Sequence, residues 1–279
     1  MNMRVAVAGT CGLALLIAQE INDETSHQLV ILSRTGYQCQ VVDYDDPRSL
    51  QHALMGIDTV ISTVTGNPQL RLIEAAVQCR VRRFAPAEFE GQPGLRGQNV
   101  VLDRGKNAAL SLLDVFVCGI LYERFSVNGM LSQHMGASTG YGNEGDYIAN
   151  PRNMTAYVPT FDAARNLACV CLTSAYDVAQ FVVRALDMPV WEREMSMYGE
   201  RMTVNDLVEV IRVCRNLQHQ LVQAQAVGNG ARYRQLSPLV ATAEGRFDFA
   251  IPGYLNMLNP DIETTTFQDW FLHNWANIP

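Results

Sequence analysis

Met3-Arg-Val-Ala-Val-Ala8 runs directly into Gly9-Thr10-Cys11-Gly12-Leu13-Ala14, and from Leu13 to Ile21 the apolar residues fall at helical spacing. A short β-branched run, a glycine turn and an amphipathic segment make the opening of a βαβ unit. Arg4 and the apolar run from Val5 to Ala18 also imitate the start of a secretory signal. Gly9 and Gly12 interrupt that run, Gln19-Glu20 offers no small-residue cleavage site, and the run is too short for a bilayer, so it reads as folded structure.

The pattern repeats downstream. Gln28 to Ser33 and Gln40 to Asp43 read as strands, Asp46-Pro47 as N-cap and first residue of a helix over Arg48 to Met55, and Asp58 to Ser62 as a strand. Gln69 to Cys79 reads as a helix and Arg83 to Pro86 as a further strand. Alternating β and α predicts an α/β fold, a Rossmann-type doubly wound parallel sheet over residues 1–121. After Leu121 the character changes: Gly, Asn, Ser and aromatic residues dominate from Ser126 to Tyr157. Residues 122–279 therefore read mainly as a smaller, loop-rich α+β substrate lobe. Within it, Ser174 caps a helix from Ala175 to Asp187 that Pro189 stops, and this helix is expected to pack back on the first domain. Thr203 caps Val204 to Cys214, and the C-terminal third reads as mostly helical.

Three joins are short for the elements they connect. Parallel neighbours ordinarily need a crossover of about a dozen residues, yet only Arg34 to Cys39 separates the second and third strands. The joins at Arg34/Gly36, Leu113/Asp114 and Arg215/Asn216 look as if loop residues were absent there.

Composition narrows the function classes. The chain has 279 residues, 48% of them hydrophobic and 18% charged, with a formal net charge of -7. That is a globular composition, and the missing cationic excess argues against non-specific nucleic-acid binding. The seven cysteines (Cys11, Cys39, Cys79, Cys118, Cys169, Cys171, Cys214) contain no C-x-x-C, which argues against a zinc site or disulfide framework and for a reducing, cytoplasmic setting. The five histidines show no ligand spacing, and neither G-x-S-x-G nor H-E-x-x-H occurs. Asp43 and Asp45 invite a metal reading, but helix capping ahead of Pro47 accounts for this acidic cluster more simply, so no metal is expected.

The glycine turn carries the first chemical expectation. A strand-to-helix glycine loop aims backbone N–H groups and a helix N-terminus at a pyrophosphate. Gly9 would permit the turn, Gly12 close phosphate approach and Ala14 tight packing, although G-x-x-G-x-A departs from the standard fingerprint. At the end of the second strand a carboxylate would bind a ribose 2′-OH, whereas Leu32-Ser33-Arg34 supplies a guanidinium suited to a 2′-phosphate. NADP(H) is favoured over NAD(H). Ser62-Thr63-Val64-Thr65-Gly66-Asn67 places small polar groups at the fourth strand end, where such a sheet leaves its crevice. Lys106, the one lysine beside twenty arginines, falls in the first turn of a helix expected after the fifth strand, where the helix dipole disfavours it. Its ammonium could protonate or polarise a substrate, a task arginine performs poorly; a solvated surface lysine is the alternative. Leu102, not Tyr, stands four residues before it, so the Tyr-x-x-x-Lys pair of short-chain dehydrogenases is missing.

Together these stretches resemble the NmrA-like and isoflavone-reductase-like branch of atypical short-chain dehydrogenases, particularly its fungal members. The resemblance rests on Val7-Ala-Gly9-Thr-Cys-Gly12, Asp58-Thr-Val-Ile-Ser62-Thr-Val, Val81-Arg-Arg-Phe84-Ala-Pro86-Ala-Glu88-Phe89, Phe116-Val-Cys-Gly119-Ile-Leu-Tyr122-Glu and Thr265-Thr-Phe267-Gln-Asp-Trp270-Phe271, and covers most of the chain. It implies that Gly9, Thr10, Cys11, Gly12 and Leu13 cradle the pyrophosphate, Arg34 the 2′-phosphate, and Thr63, Val64, Thr65 and Gly66 the adenosine side. Pro86, Ala87, Glu88 and Phe89 would neighbour the nicotinamide, with Cys118, Gly119 and Ile120 flanking it, and Lys106 would be the catalytic acid. Phe89, Tyr122, Tyr141 and Tyr147 would face the substrate. Ala87 stands where plant members commonly carry Ser.

The implied function is an NADPH-dependent reductase of a small, largely apolar secondary metabolite. Two alternatives stay open: an NmrA-type dinucleotide-sensing regulator without catalysis, and a non-redox isomerase or cyclase. A small-molecule substrate is the expected partner, with neither nucleic acid nor membrane; whether the chain forms a homodimer is not legible.

Overall fold

The computed structural model describes residues 2–10, 12–36, 38–95, 114–137, 141–153, 155–215, 220–222, 238, 242, 245–249 and 251–275. They divide into two compact units: one comprises the residues through Phe89, the stretch ending at Phe116 and Ala179–Met195; the other begins at Glu90 and contains Val117–Val178 and the residues from Ser196 onward.

The first unit is built on β1 (Arg4–Ala8), α1 (Leu13–Glu24), β2 (Gln28–Ser33), β3 (Gln40–Val41), α2 (Pro47–Leu54), β4 (Thr59–Ser62), α3 (Asn67–Gln78) and β5 (Arg83–Ala85). The strands form one parallel sheet in the order β3-β2-β1-β4-β5. This is an α/β Rossmann-type sheet, and its order reverses between β1 and β4. Val5 to Ala8 are fully buried, because a central parallel strand needs apolar side chains on both faces. Ile17 and Ile21, one turn apart on α1, are likewise fully buried; each contributes on the order of 2 kcal/mol. The Asp46 carboxylate caps α2 by accepting the Arg48 N–H at 2.9 Å, as the Asp-Pro pair implies. Arg83 is buried, and its guanidinium donates to the carbonyls of Leu186 (2.8 Å), Met188 and Pro189 (2.9 Å). A guanidinium beside the carbonyl end of a helix is favoured by the helix dipole.

β3 meets β2 only at its carboxyl tip, Leu32 opposite Gln40 and Ser33 opposite Val41. Tyr37, within the join between them, lies outside the described residues. Leu113 and Asn216, at the other two joins, lie outside the described residues.

The remaining elements are β6 (Val115–Val117), β7 (Ile120–Leu121), β8 (Ala149–Asn150), β9 (Thr155–Tyr157), β10 (Cys169–Thr173), α4 (Ala175–Leu186), β11 (Glu194–Ser196), β12 (Glu200–Thr203), α5 (Val204–Arg215), β13 (Gln220–Val222), α6 (Tyr254–Leu258) and α7 (Phe267–Trp275). β10 pairs antiparallel with β12 and parallel with β7, β6 pairs with β11, and β13, β9 and β8 form a third small sheet. The strands β11, β12 and β13 stand among the helices expected in the C-terminal third. Glu200-Arg-Met-Thr203 lacks an apolar run, and its strand character comes from the ladder offered by β10.

The starts of α4, α5 and α7 follow one rule: Asp177 N–H donates to Ser174 Oγ (3.0 Å), Asp206 N–H to Thr203 Oγ1 (3.1 Å) and Asp269 N–H to Thr266 Oγ1 (3.1 Å). α4 has a second cap, because both carboxylate oxygens of the buried Glu123 accept the Ala175 N–H at 3.1 and 3.2 Å. Burial pushes the Glu123 carboxyl up to about 7, against the pull of that N–H. Nearby, Tyr122, Phe125, Tyr147, Phe267, Trp270, Phe271 and Trp275 belong to one buried cluster. Among the described residues no helix is long and apolar enough to cross a membrane.

Candidate functional site

At the reversal of the sheet, the carboxyl ends of β1 and β4 lie side by side. Gly9 N–H donates to the Leu32 carbonyl at 3.0 Å, while Thr63 donates to the Ala8 carbonyl through both its N–H (2.9 Å) and its Oγ1 (3.0 Å). Gly9 has φ +125°, and a Cβ there would lie 2.2 Å from Thr63 Oγ1. Only glycine fits. Gly12, the N-cap of α1, has φ 48°; no side chain caps the helix and its first turn holds no carboxylate. α3 begins in the same way at Gly66, φ 74°, with neither a side-chain cap nor an acidic residue in the first turn. Two electropositive helix starts therefore follow the two strands that flank the switch point, the arrangement that accepts phosphates. Thr10 is exposed beside this turn and Leu13 is buried as the first residue of α1. Ser62 Oγ and Val64 N–H close a small turn at 3.2 Å that leads through Thr65 to Gly66.

Arg34 is exposed immediately beyond β2. It lies near enough to Tyr44 for its charge to act on the phenol: burial pushes the Tyr44 hydroxyl above its ordinary range and the guanidinium pulls it back. The Tyr44 hydroxyl is buried with no hydrogen-bond partner among the described residues. An exposed guanidinium at this strand end, with no described carboxylate paired to it, suits a dianionic phosphate.

Beyond β5, Pro86, Ala87 and Glu88 are buried and Phe89 is half-buried. Glu88 N–H donates to the Pro86 carbonyl at 2.7 Å, a tight turn centred on Ala87. Phe89 stacks on Phe116 with ring centroids 5.9 Å apart and planes within 4°. Gln69, which the motif reading passed over, accepts the Ala87 N–H through its Oε1 at 2.6 Å. The signal was available, since Gln69 is a polar residue on the stripe Gln69, Leu72, Ala76 that faces the core.

In the second unit, Cys118 and Gly119 donate their N–H groups to the Glu90 carbonyl (3.0 and 3.2 Å), and the Cys118 carbonyl accepts Thr173 Oγ1 at 2.6 Å. Ile120 opens β7 and is buried. Arg246, also passed over, is buried and pairs with Glu90 at 2.7 Å. Tyr122, Tyr141 and Tyr147 are all buried within this unit. Tyr122 is fully buried with its hydroxyl donated to the Thr265 carbonyl (3.0 Å) and its ring against Phe267 and Trp270. Tyr147 is buried with its hydroxyl bonded to Thr242 and its ring edge to Phe247; burial pushes that phenol up to about 12. Tyr122 and Tyr147 belong to a buried cluster that also contains Ile120, Leu172, Leu207 and Ile211. Cys11 and Lys106 lie outside the described residues.

No family model matches the chain. Oxidoreductase BOA1 of Botryotinia fuckeliana is 23% identical over 239 residues, 75% of this chain and 74% of that protein. Bifunctional pinoresinol-lariciresinol reductase 2 of Thuja plicata is 28% identical over 136 residues, 42% of this chain and 44% of that one. Among solved structures, AtPrR2 with NADP+ and (+)pinoresinol superposes with a TM-score of 0.69 over 97% of this chain and 98% of that one, at 16% identity. The likeness to the solved structure shows a shared Rossmann-type fold, and the sequence relatives are named as an oxidoreductase and a reductase.

Proposed function

We propose that the chain is an NADPH-dependent oxidoreductase that reduces a carbonyl or activated double bond in a small, largely apolar secondary metabolite of a reducing, cytoplasmic compartment. The observation that carries this reading is the pair of uncapped helix starts at the switch point, Gly12 and Gly66, beside a glycine turn that a Cβ on Gly9 would fill. The relatives' names and the NADP+ in the AtPrR2 structure support the cofactor class.

In this reading Gly9, Thr10, Gly12 and Leu13 hold the diphosphate through backbone N–H groups, Arg34 pairs with the 2′-phosphate, and Thr63 to Gly66 border the adenosine. Bound NADPH supplies hydride from its nicotinamide C4 to an electrophilic carbon. Pro86 to Phe89 border the nicotinamide, and the Lys106 ammonium gives its proton to the oxygen or carbon on which negative charge develops.

Titration with NADPH and NADH, followed by a screen of carbonyl and enone metabolites for cofactor oxidation, tests the reading. NADPH should bind more tightly than NADH and be consumed with substrate. Lys106→Ala should remove most of the rate and keep cofactor affinity. Binding without turnover would make the chain a sensor, and substrate conversion without NADPH loss an isomerase.

A further inference from the structure

Gln69 is 1% exposed and sits on the apolar stripe of α3 with Leu72, Ala75 and Ala76. A methionine or leucine would fill that position without the cost of burying an amide, so packing alone does not ask for glutamine. The amide adds a bond that neither could make, Ala87 N–H to Gln69 Oε1 at 2.6 Å, with both ends buried. Its two ends belong to different parts of the candidate site. Gln69 lies in the first turn of α3, just after the Gly66 cap that ends the Thr63–Gly66 segment. Ala87 is the centre of the Pro86–Glu88 turn. The adjacent strands β4 and β5 already align their backbones as far as Ile61 and Ala85, where the ladder stops. The Gln69 bond takes over where the ladder ends.

We infer that Gln69 is a positioning residue of the reductase site: it fixes the Pro86–Phe89 turn, and with it the nicotinamide end of the cofactor, relative to the segment that borders the adenosine. This rests on the cofactor reading proposed above. A role limited to fold stability would instead weaken every ligand alike.

The distinguishing probe is a pair of ligands, NADPH and 2′,5′-ADP, which shares the adenosine end and lacks nicotinamide. Calorimetric titration of Gln69→Met should show NADPH weakened about tenfold with 2′,5′-ADP held within about twofold, the former being the size of one lost hydrogen bond. Gln69→Glu, which retains an acceptor oxygen of the same reach, should recover most of the NADPH affinity. Gln69→Asn, one methylene short, should behave like Gln69→Met and serves if that variant does not fold. Equal weakening of both ligands, unchanged NADPH affinity, or no recovery in Gln69→Glu overturns the positioning role while leaving the cofactor reading intact. Failure of the unmodified chain to bind either ligand overturns the cofactor reading, and this inference with it.

Discussion

Gly9 and Thr63 meet across the switch point of the sheet so closely that a single Cβ on Gly9 would lie 2.2 Å from Thr63 Oγ1, an oxygen already committed to the Ala8 carbonyl. Gly9→Ala must therefore displace Thr63 as well as adopt a φ that L-residues avoid. It should lower stability by about 2–4 kcal/mol and NADPH affinity by about tenfold or more. Adding Thr63→Ala removes the clashing oxygen and should restore part of the melting temperature, but not the part owed to φ. Thermal melts with and without NADPH measure both.

In the proposed reading, the choice between dinucleotides rests on Arg34. Arg34→Ala removes a charge-assisted contact to the 2′-phosphate, of about 1.5–3 kcal/mol, and should weaken NADPH about tenfold or more with NADH unchanged. The ratio of the two dissociation constants checks it. Equal weakening of both would move the 2′-phosphate elsewhere.

Gly119 has φ +71°, and a Cβ there would lie 2.1 Å from the Cys171 carbonyl oxygen. The obstacle is backbone, held in the β10 ladder, and cannot swing aside. Gly119→Ala should cost more than about 3 kcal/mol, a clear drop in melting temperature independent of added cofactor.

Glu123 predicts a pH dependence of stability. Its folded carboxyl, pushed up to about 7, keeps its proton where the unfolded chain has released one. Its favourable contribution is full below about pH 4.5 and shrinks as pH rises to about 7, the change being on the order of 3 kcal/mol. Glu123→Gln keeps an acceptor for the Ala175 N–H and cannot ionise. The difference between the two unfolding free energies, measured by urea denaturation across that range, should therefore change in favour of the glutamine variant as pH rises and level off above about 7. A flat difference would contradict it.

The parallel sheet was legible because its strands and helices carry strong local signals: Val5 to Ala8 as an apolar run, Asp46-Pro47 as a cap, and Gly9 and Gly12 as a turn only glycine permits. Gln69 was harder to read, since a polar residue on an apolar stripe announces a partner without naming it. The packing of the tyrosines was not legible for a related reason. An aromatic-rich, glycine-rich stretch has the same composition whether its rings line a cleft or fill a small core, and only tertiary contacts such as Tyr122 to Thr265 separate the two. β12 escaped because its strand state is owed to β10 and to nothing in its own four residues.

The tip-only meeting of β3 with β2 has one more effect. No described strand lies along the outer flank of Gln28 to Ile31, whereas the inner flank is locked against β1. Deuterium uptake should enter the sheet from that outer flank, half a strand at a time, long before Val5 to Ala8 exchange.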